Sequence, residues 1–170
     1  NFTNDISSAI KSSEIIVLAL PSQSIRNVIT KNKSSFNKNH IIVNISKGIE
    51  IDTLMTVSEV IDDVLDDHHK SVVTLSGPSH AEEVIRGHPT TLVAASNDVQ
   101  SAEIIQNLFA TEMLRTYLNR DIIGVELGGS MKNVIAIAAG ICDGIGYGDN
   151  SKAALMTRGM MEITRLGEAM

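Results

Sequence analysis

Glu14-Ile15-Ile16-Val17-Leu18-Ala19-Leu20 is a short run rich in β-branched residues, halted by Pro21. An apolar run this short, without alternation, reads as a strand buried on both faces. Ser22 to Thr30 follows with Ile25, Val28 and Ile29 at helical spacing. The same order recurs outward along the chain. His40-Ile41-Ile42-Val43-Asn44-Ile45 is a second strand, broken at Lys47-Gly48, and Thr53 to Leu65 is an amphipathic helix. Ser71 to Leu75 is a third strand, ending in Ser76-Gly77-Pro78-Ser79. Ser79 and Glu82 have the spacing of a capping box, so Ser79 is expected to open the next helix, which Gly87-His88-Pro89 stops. Thr90 to Ala95, Val99 to Ala110 and Leu114 to Leu118 add a strand, a helix and a strand. This alternation predicts an α/β fold, a mostly parallel sheet wrapped by helices. The Lys-, Asn- and Ser-rich string from Thr30 to Asn39 is expected to be an exposed loop or helix end.

The pattern changes at Arg120-Asp121. Ile122 to Ala139 and Ser151 to Met170 both carry helical patterns, joined by a linker with Gly140, Gly144, Gly146 and Gly148. A domain boundary is therefore expected near residue 120, separating a sheet domain over 1–120 from a helical one over 121–170. The chain begins without a strand and stops inside a helical pattern with no glycine or proline to end it. It is expected to be a piece of a longer protein, lacking both ends.

Composition removes several function classes. The 170 residues hold 14 Lys+Arg against 20 Asp+Glu, a net charge of -6, which speaks against a basic nucleic-acid-binding surface. Three Phe, two Tyr and no Trp are too few for base-stacking platforms. Cys142 stands alone, excluding an intramolecular disulfide and a zinc site of paired cysteines. His68 and His69 lie in a polar loop without a matching cysteine or third histidine, so no metal is expected. Asn1 to Ser13 has no signal-peptide core. Ile122 to Cys142 is apolar, but Glu126, Lys132 and Asn133 interrupt it. A lysine at mid-bilayer costs about 2.5–3.5 kcal/mol, so this segment is expected to be a helix buried in protein rather than inserted in a membrane. A soluble, cytoplasmic protein is the expectation that survives.

Lys132 is the strongest candidate for chemistry. Its helical neighbours are Gly128, Gly129, Ile135 and Ala136, none of them acidic. On so apolar a helix it is expected to be partly desolvated, which suits a lysine to proton transfer; the alternative is a structural lysine reaching to solvent. Lys47 follows a strand, at the carboxyl edge where open α/β folds bind ligands, although an ordinary turn lysine would look the same. Gly77-Pro78-Ser79 and Pro21-Ser22 occupy equivalent places after their strands, and Ser79 could equally serve only its own helix. Generic motifs go no further: there is no G-x-G-x-x-G after a strand, no Walker loop and no G-x-S-x-G elbow.

Taken together, longer strings carry more. Leu20-Pro21-Ser22, Ser46-Lys47-Gly48-Ile49-Glu50, Ser76-Gly77-Pro78-Ser79-His80-Ala81 and Gly124-Val125-Glu126-Leu127-Gly128-Gly129-Ser130-Met131-Lys132-Asn133-Val134-Ile135-Ala136 occur in that order, followed by Cys142 to Ala154. In this order and spacing they resemble NAD(P)-dependent glycerol-3-phosphate dehydrogenase of the bacterial biosynthetic type. The resemblance implies a partial Rossmann-type nucleotide domain lacking its first β-α-β unit, followed by the start of an all-α substrate domain. It implies reversible reduction of dihydroxyacetone phosphate to sn-glycerol 3-phosphate with NADPH or NADH, feeding glycerophospholipid synthesis. A homodimer is compatible with it. Lys132 then matches the catalytic lysine and Asn133 the asparagine beside it. Lys47 matches a lysine touching substrate and cofactor, Gly77 and Ser79 substrate contacts, Ala81 a nucleotide contact, and Pro21 and Ser22 the loop near the nicotinamide. The resemblance places other parts of the site outside the chain, so the 170 residues alone are expected to be inactive. Two readings stay open beside it: a related two-domain reductase of ketopantoate or hydroxyacid type, and a non-catalytic nucleotide-binding module.

Overall fold

The computed structural model describes residues 2–170. Helix α1 (Ile6–Lys11) leads into β1 (Ile15–Leu18), α2 (Ser22–Asn32), β2 (Ile41–Asn44), α3 (Val57–Leu65) and β3 (Ser71–Ser76). A short helix α4 (Ala81–Ile85) precedes β4 (Thr90–Ala95), α5 (Val99–Phe109) and β5 (Leu114–Asn119), and two long helices follow, α6 (Ile122–Gly144) and α7 (Asp149–Ala169). The five strands form one sheet in the order β1-β2-β3-β4-β5. All neighbours are parallel except β3 and β4. The mostly parallel α/β fold read from the sequence is the fold observed.

The strands sort their side chains between two layers. Ile42 and Val72 face a cluster with Ile25 and Ile29 of α2 and Val57, Val60, Ile61 and Leu65 of α3. Ile41, Val43, Val73 and Leu75 point the other way, onto Ile105 of α5 with Leu92 and Ala94 of β4. Because successive strand residues alternate faces, β2 and β3 can lack polar alternation only by being covered on both sides. Every residue of both strands is buried.

Several expectations change at the level of elements. The helix expected from Thr53 starts at Val57, because Thr56 is its N-cap and closes a capping box with Glu59; Leu54 before it has φ 60. The box expected of Ser79 and Glu82 does not form: His80 is the N-cap of α4, and the Ser79 hydroxyl turns back to the carbonyl of Gly77 at 3.4 Å. The string from Thr30 to Asn39 is not simply an exposed loop, since Ser35 and Phe36 are buried, Phe36 lying edge-on to His40. Gly140 is not in a linker, because α6 runs on to Gly144 and the turn to α7 is made by residues 145–148, with Gly146 at φ 78. Lys152 of α7 closes that turn with an ion pair to Asp143 at 2.6 Å.

Candidate functional site

The parallel strands β1, β2 and β3 end side by side, so the loops that follow them open at one edge of the sheet. Ser46 joins the first two loops: its hydroxyl accepts from the Leu20 N–H at 3.2 Å and donates to the Leu20 carbonyl at 2.6 Å. Gln23 of α2 ties them again, its amide donating to the Ile49 carbonyl at 2.7 Å and accepting from the Ile51 N–H at 3.1 Å. Arg26 holds the far end of the second loop, donating from Nε to Glu50 Oε1 at 2.9 Å and also pairing with Asp63. That guanidinium, and secondarily the Thr53 hydroxyl, hold the buried Glu50 carboxyl below its ordinary pKa. Gly48 sits at φ 141, and a side chain there would overlap the Ser22 hydroxyl, so the first loop can lie against the second.

Helix α6 enters this edge through a buried carboxylate. Glu126 Oε1 accepts from Asn44 Nδ2 at 2.9 Å, the Ser58 N–H at 3.0 Å and Thr74 Oγ1 at 3.0 Å. Its Oε2 accepts from Ser58 Oγ at 2.6 Å. Four donors, and no cation among the described residues, surround it, a set that suits a carboxylate accepting at both oxygens. One turn on, Ser130 Oγ accepts from the Gly48 N–H at 2.9 Å and donates to the Glu126 carbonyl at 2.8 Å. At Gly129 the helix meets β3 so closely that a Cβ would stand 2.8 Å from Ser76 Oγ and 3.7 Å from Lys47 Cγ.

Between the end of β3 and α6 lies a hollow of about 280 Å³ whose lining includes Ser76, Gly77, Pro78, Gly128, Gly129 and Lys132. Lys132 lines it and Lys47 lies against Gly129 on its wall, and neither lysine makes an ion pair among the described residues. The Lys47 ammonium titrates below its ordinary value, through desolvation first and the positive charge of Lys132 second. Two unpaired ammonium groups beside an open hollow attract an anion, and either can donate a proton to a developing oxyanion.

Not every residue singled out in the sequence reaches this place. Gly77 and Lys132 line the hollow, Lys47 lies against Gly129 on its wall, Ser22 abuts Gly48, and Ser79 folds back onto Gly77. Asn133, Ala81 and Pro21 are exposed and do not line the hollow. Lys132 is exposed rather than desolvated, and α6 is not the buried helix expected. Its buried residues are Ile122, Glu126, Leu127 and Gly129, all in its first turns, and beyond Lys132 it shows Ile137 and Ile141 to solvent. By length and composition α6 could cross a membrane, yet its carboxylate is bonded into the sheet domain. Glu126 itself was visible in the sequence only as an interruption. Asn44 and Thr74, polar residues ending or interrupting buried strands, were the signal that something must satisfy them.

A family model described as the N-terminus of NAD-dependent glycerol-3-phosphate dehydrogenase matches residues 1–102, and one described as its C-terminus matches residues 121–170. The chain belongs to the NAD-dependent glycerol-3-phosphate dehydrogenase family. A glycerol-3-phosphate dehydrogenase [NAD(P)+] of Thermoanaerobacter sp. (strain X514) is 54% identical over 170 residues, which is 100% of this chain and 51% of that protein. Its counterpart in Clostridium perfringens (strain SM101 / Type A) is 56% identical over 163 residues, 96% of this chain and 49% of that protein. The crystal structure of glycerol-3-phosphate dehydrogenase from Coxiella burnetii superposes with a TM-score of 0.88 at 35% identity, covering 97% of this chain and 50% of that one. The chain thus spans about half the length of the curated relatives it matches.

This edge of the sheet suits the NAD(P) cofactor of the family. Such cofactors lie in the crevice beyond the carboxyl ends of parallel strands, where backbone must stay bare. The loops after β1, β2 and β3 open at that edge, and Gly128, on the wall of the hollow, faces open space.

Proposed function

We propose that this chain forms the substrate- and nicotinamide-facing part of an NAD(P)-dependent glycerol-3-phosphate dehydrogenase. The reaction is reversible reduction of dihydroxyacetone phosphate to sn-glycerol 3-phosphate, for glycerophospholipid synthesis in the cytoplasm. Family membership supports the reaction type, and one observation carries the chemistry: Lys132 lines the hollow between β3 and α6, Lys47 lies against Gly129 on its wall and feels the charge of Lys132, and neither has an ion-pair partner among the described residues.

Lys132 donates a proton or a strong hydrogen bond to the ketone oxygen as negative charge develops on it, and takes the proton back in the reverse direction. Lys47 contributes positive charge to substrate and cofactor alike. Gly77, Ser79 and Asn133 complete the substrate contacts, while Ala81, Pro21 and Ser22 attend the cofactor. NADPH or NADH, when bound, supplies the hydride for the ketone carbon.

The test is substrate-dependent loss of NADPH and NADH absorbance, using a protein of the relatives' full length that carries this sequence. Turnover with dihydroxyacetone phosphate is expected, and the ratio of rates gives the cofactor preference. Lys132→Ala should lower kcat at least about 10²-fold, the lower bound for general acid catalysis, with substrate binding less affected. Near-normal turnover in that variant would remove Lys132 from the reaction. No turnover with either cofactor, from folded protein, would point to a sister reductase.

A further inference from the structure

We infer that Glu126 is the positioning residue that sets Lys132 against Lys47. The inference rests on the proposed reaction for its kinetic readout, but its structural basis is separate. Among the described residues, α6 is buried against the sheet only in its first turns, where its polar contacts to strands and loops come from Glu126 and Ser130, while α7 packs against it further on, Gly159 lying against Ile135.

The geometry makes the carboxylate a three-way lock. Oε1 takes one donor from the end of β2 (Asn44), one from the interior of β3 (Thr74) and one from the first turn of α3 (the Ser58 N–H). Asn44 and Thr74 are register partners on adjacent parallel strands, and Ser58 belongs to the helix packed beside them, so a rotation or slide of α6 that kept one bond would stretch the others. The negative charge also lies at the amino end of α3, the favourable end of its dipole. Lys132 lies six residues further along, about 9 Å at 1.5 Å per residue. A small pivot at Glu126 is therefore carried out to the ammonium. Asn44 extends the same lock to the second lysine: its Oδ1 accepts from the Ser46 N–H at 2.9 Å, next to Lys47 in the chain. One buried side chain thus references both lysines to the same strand end. Its carboxyl group, itself outside the hollow, touches no reacting atom.

The experiment compares Glu126→Ala, Glu126→Gln and Ser58→Ala in a protein of the relatives' full length carrying this sequence. Glu126→Ala is expected to lower kcat about 100-fold, the scale of a misplacement near 1 Å, with KM for the cofactor changed less than about threefold. Glu126→Gln retains an acceptor oxygen at the Oε1 position and an amide that the Ser58 hydroxyl can accept, and should recover kcat to within about tenfold of the parent. Ser58→Ala removes one bond of four and should fall between the two, which keeps the test open if Glu126→Ala does not fold. Hydrogen exchange gives a readout independent of any substrate: amides of residues 127–133 should lose protection in Glu126→Ala while β2 and β3 keep theirs. Unchanged protection of 127–133 would overturn the inference even if the parent reduces no dihydroxyacetone phosphate. So would equal kcat losses in the Ala and Gln variants, or a Glu126→Ala enzyme within threefold of its parent.

Discussion

Lys47 shows at the scale of one residue how a candidate binding group works against the fold that presents it. Its ammonium is partly desolvated and lies within reach of the charge on Lys132, and both effects lower its pKa from the ordinary 10.5. A lowered pKa means that the folded chain holds the proton less firmly than the unfolded chain does. The charge therefore opposes folding at pH 7, and the opposition fades only as pH rises toward 10.5. Lys47→Met, which keeps the stem and removes the charge, should unfold at higher urea concentration than the parent at pH 7 while losing turnover. The difference should shrink at alkaline pH. A variant less stable than its parent at pH 7 would mean that the ammonium has a partner other than the charges named here.

Among the elements, α3 separates what periodicity can specify from what it cannot. Its apolar positions, Val57, Val60, Ile61, Val64 and Leu65, repeat with helical spacing and are all buried. Their periodicity placed the helix but not its start, because Leu54 also falls on the apolar stripe and is in fact exposed with φ 60. The start is set by hydrogen bonding: the Thr56 N–H donates to Glu59 Oε2 at 2.8 Å as half of a reciprocal cap. Thr56→Ala should cost about 0.5–2 kcal/mol in chemical denaturation, the cost of losing an N-cap side chain. The β3–β4 connection shows the same limit. A parallel crossover needs a helix packed on the sheet, whereas α4 has five residues and buries none of them, so the chain returns antiparallel. For α6 the apolar pattern reported that a face exists to be covered, not that this chain covers it. The site was legible where it is local, as at Lys47-Gly48 and Gly77. Glu126 was not, because its partners at 44, 58 and 74 become neighbours only when two strands and a helix end at one place.

Across the whole molecule the two apolar layers supply the driving force, and a few buried or paired titratable groups decide the pH range over which it suffices. His40 is buried at the start of β2, where its Nδ1 accepts from the Asn37 N–H at 3.2 Å. Desolvation lowers its pKa from 6.5, so protonation is easier in the unfolded chain and stability begins to fall as pH drops below that value. Glu50, held by Arg26 and Thr53, and Asp98, held chiefly by the Ser101 hydroxyl, are lowered from 4.5 and 3.8. Their contribution is complete above those values and is lost as pH falls through the still lower folded pKa of each. The three groups act with the same sign, and stability should therefore decline in two stages on acidification. The first begins below about 6.5 and the second below about 4.5. Urea midpoints taken from pH 8 to pH 3 should resolve both, and the two stages should separate by mutation. His40→Gln, which keeps an acceptor for the Asn37 N–H, should flatten only the first; Glu50→Gln should weaken only the second and lower stability at neutral pH, since it leaves Arg26 without its principal partner. A first stage that persists in His40→Gln would assign it to another of the five histidines.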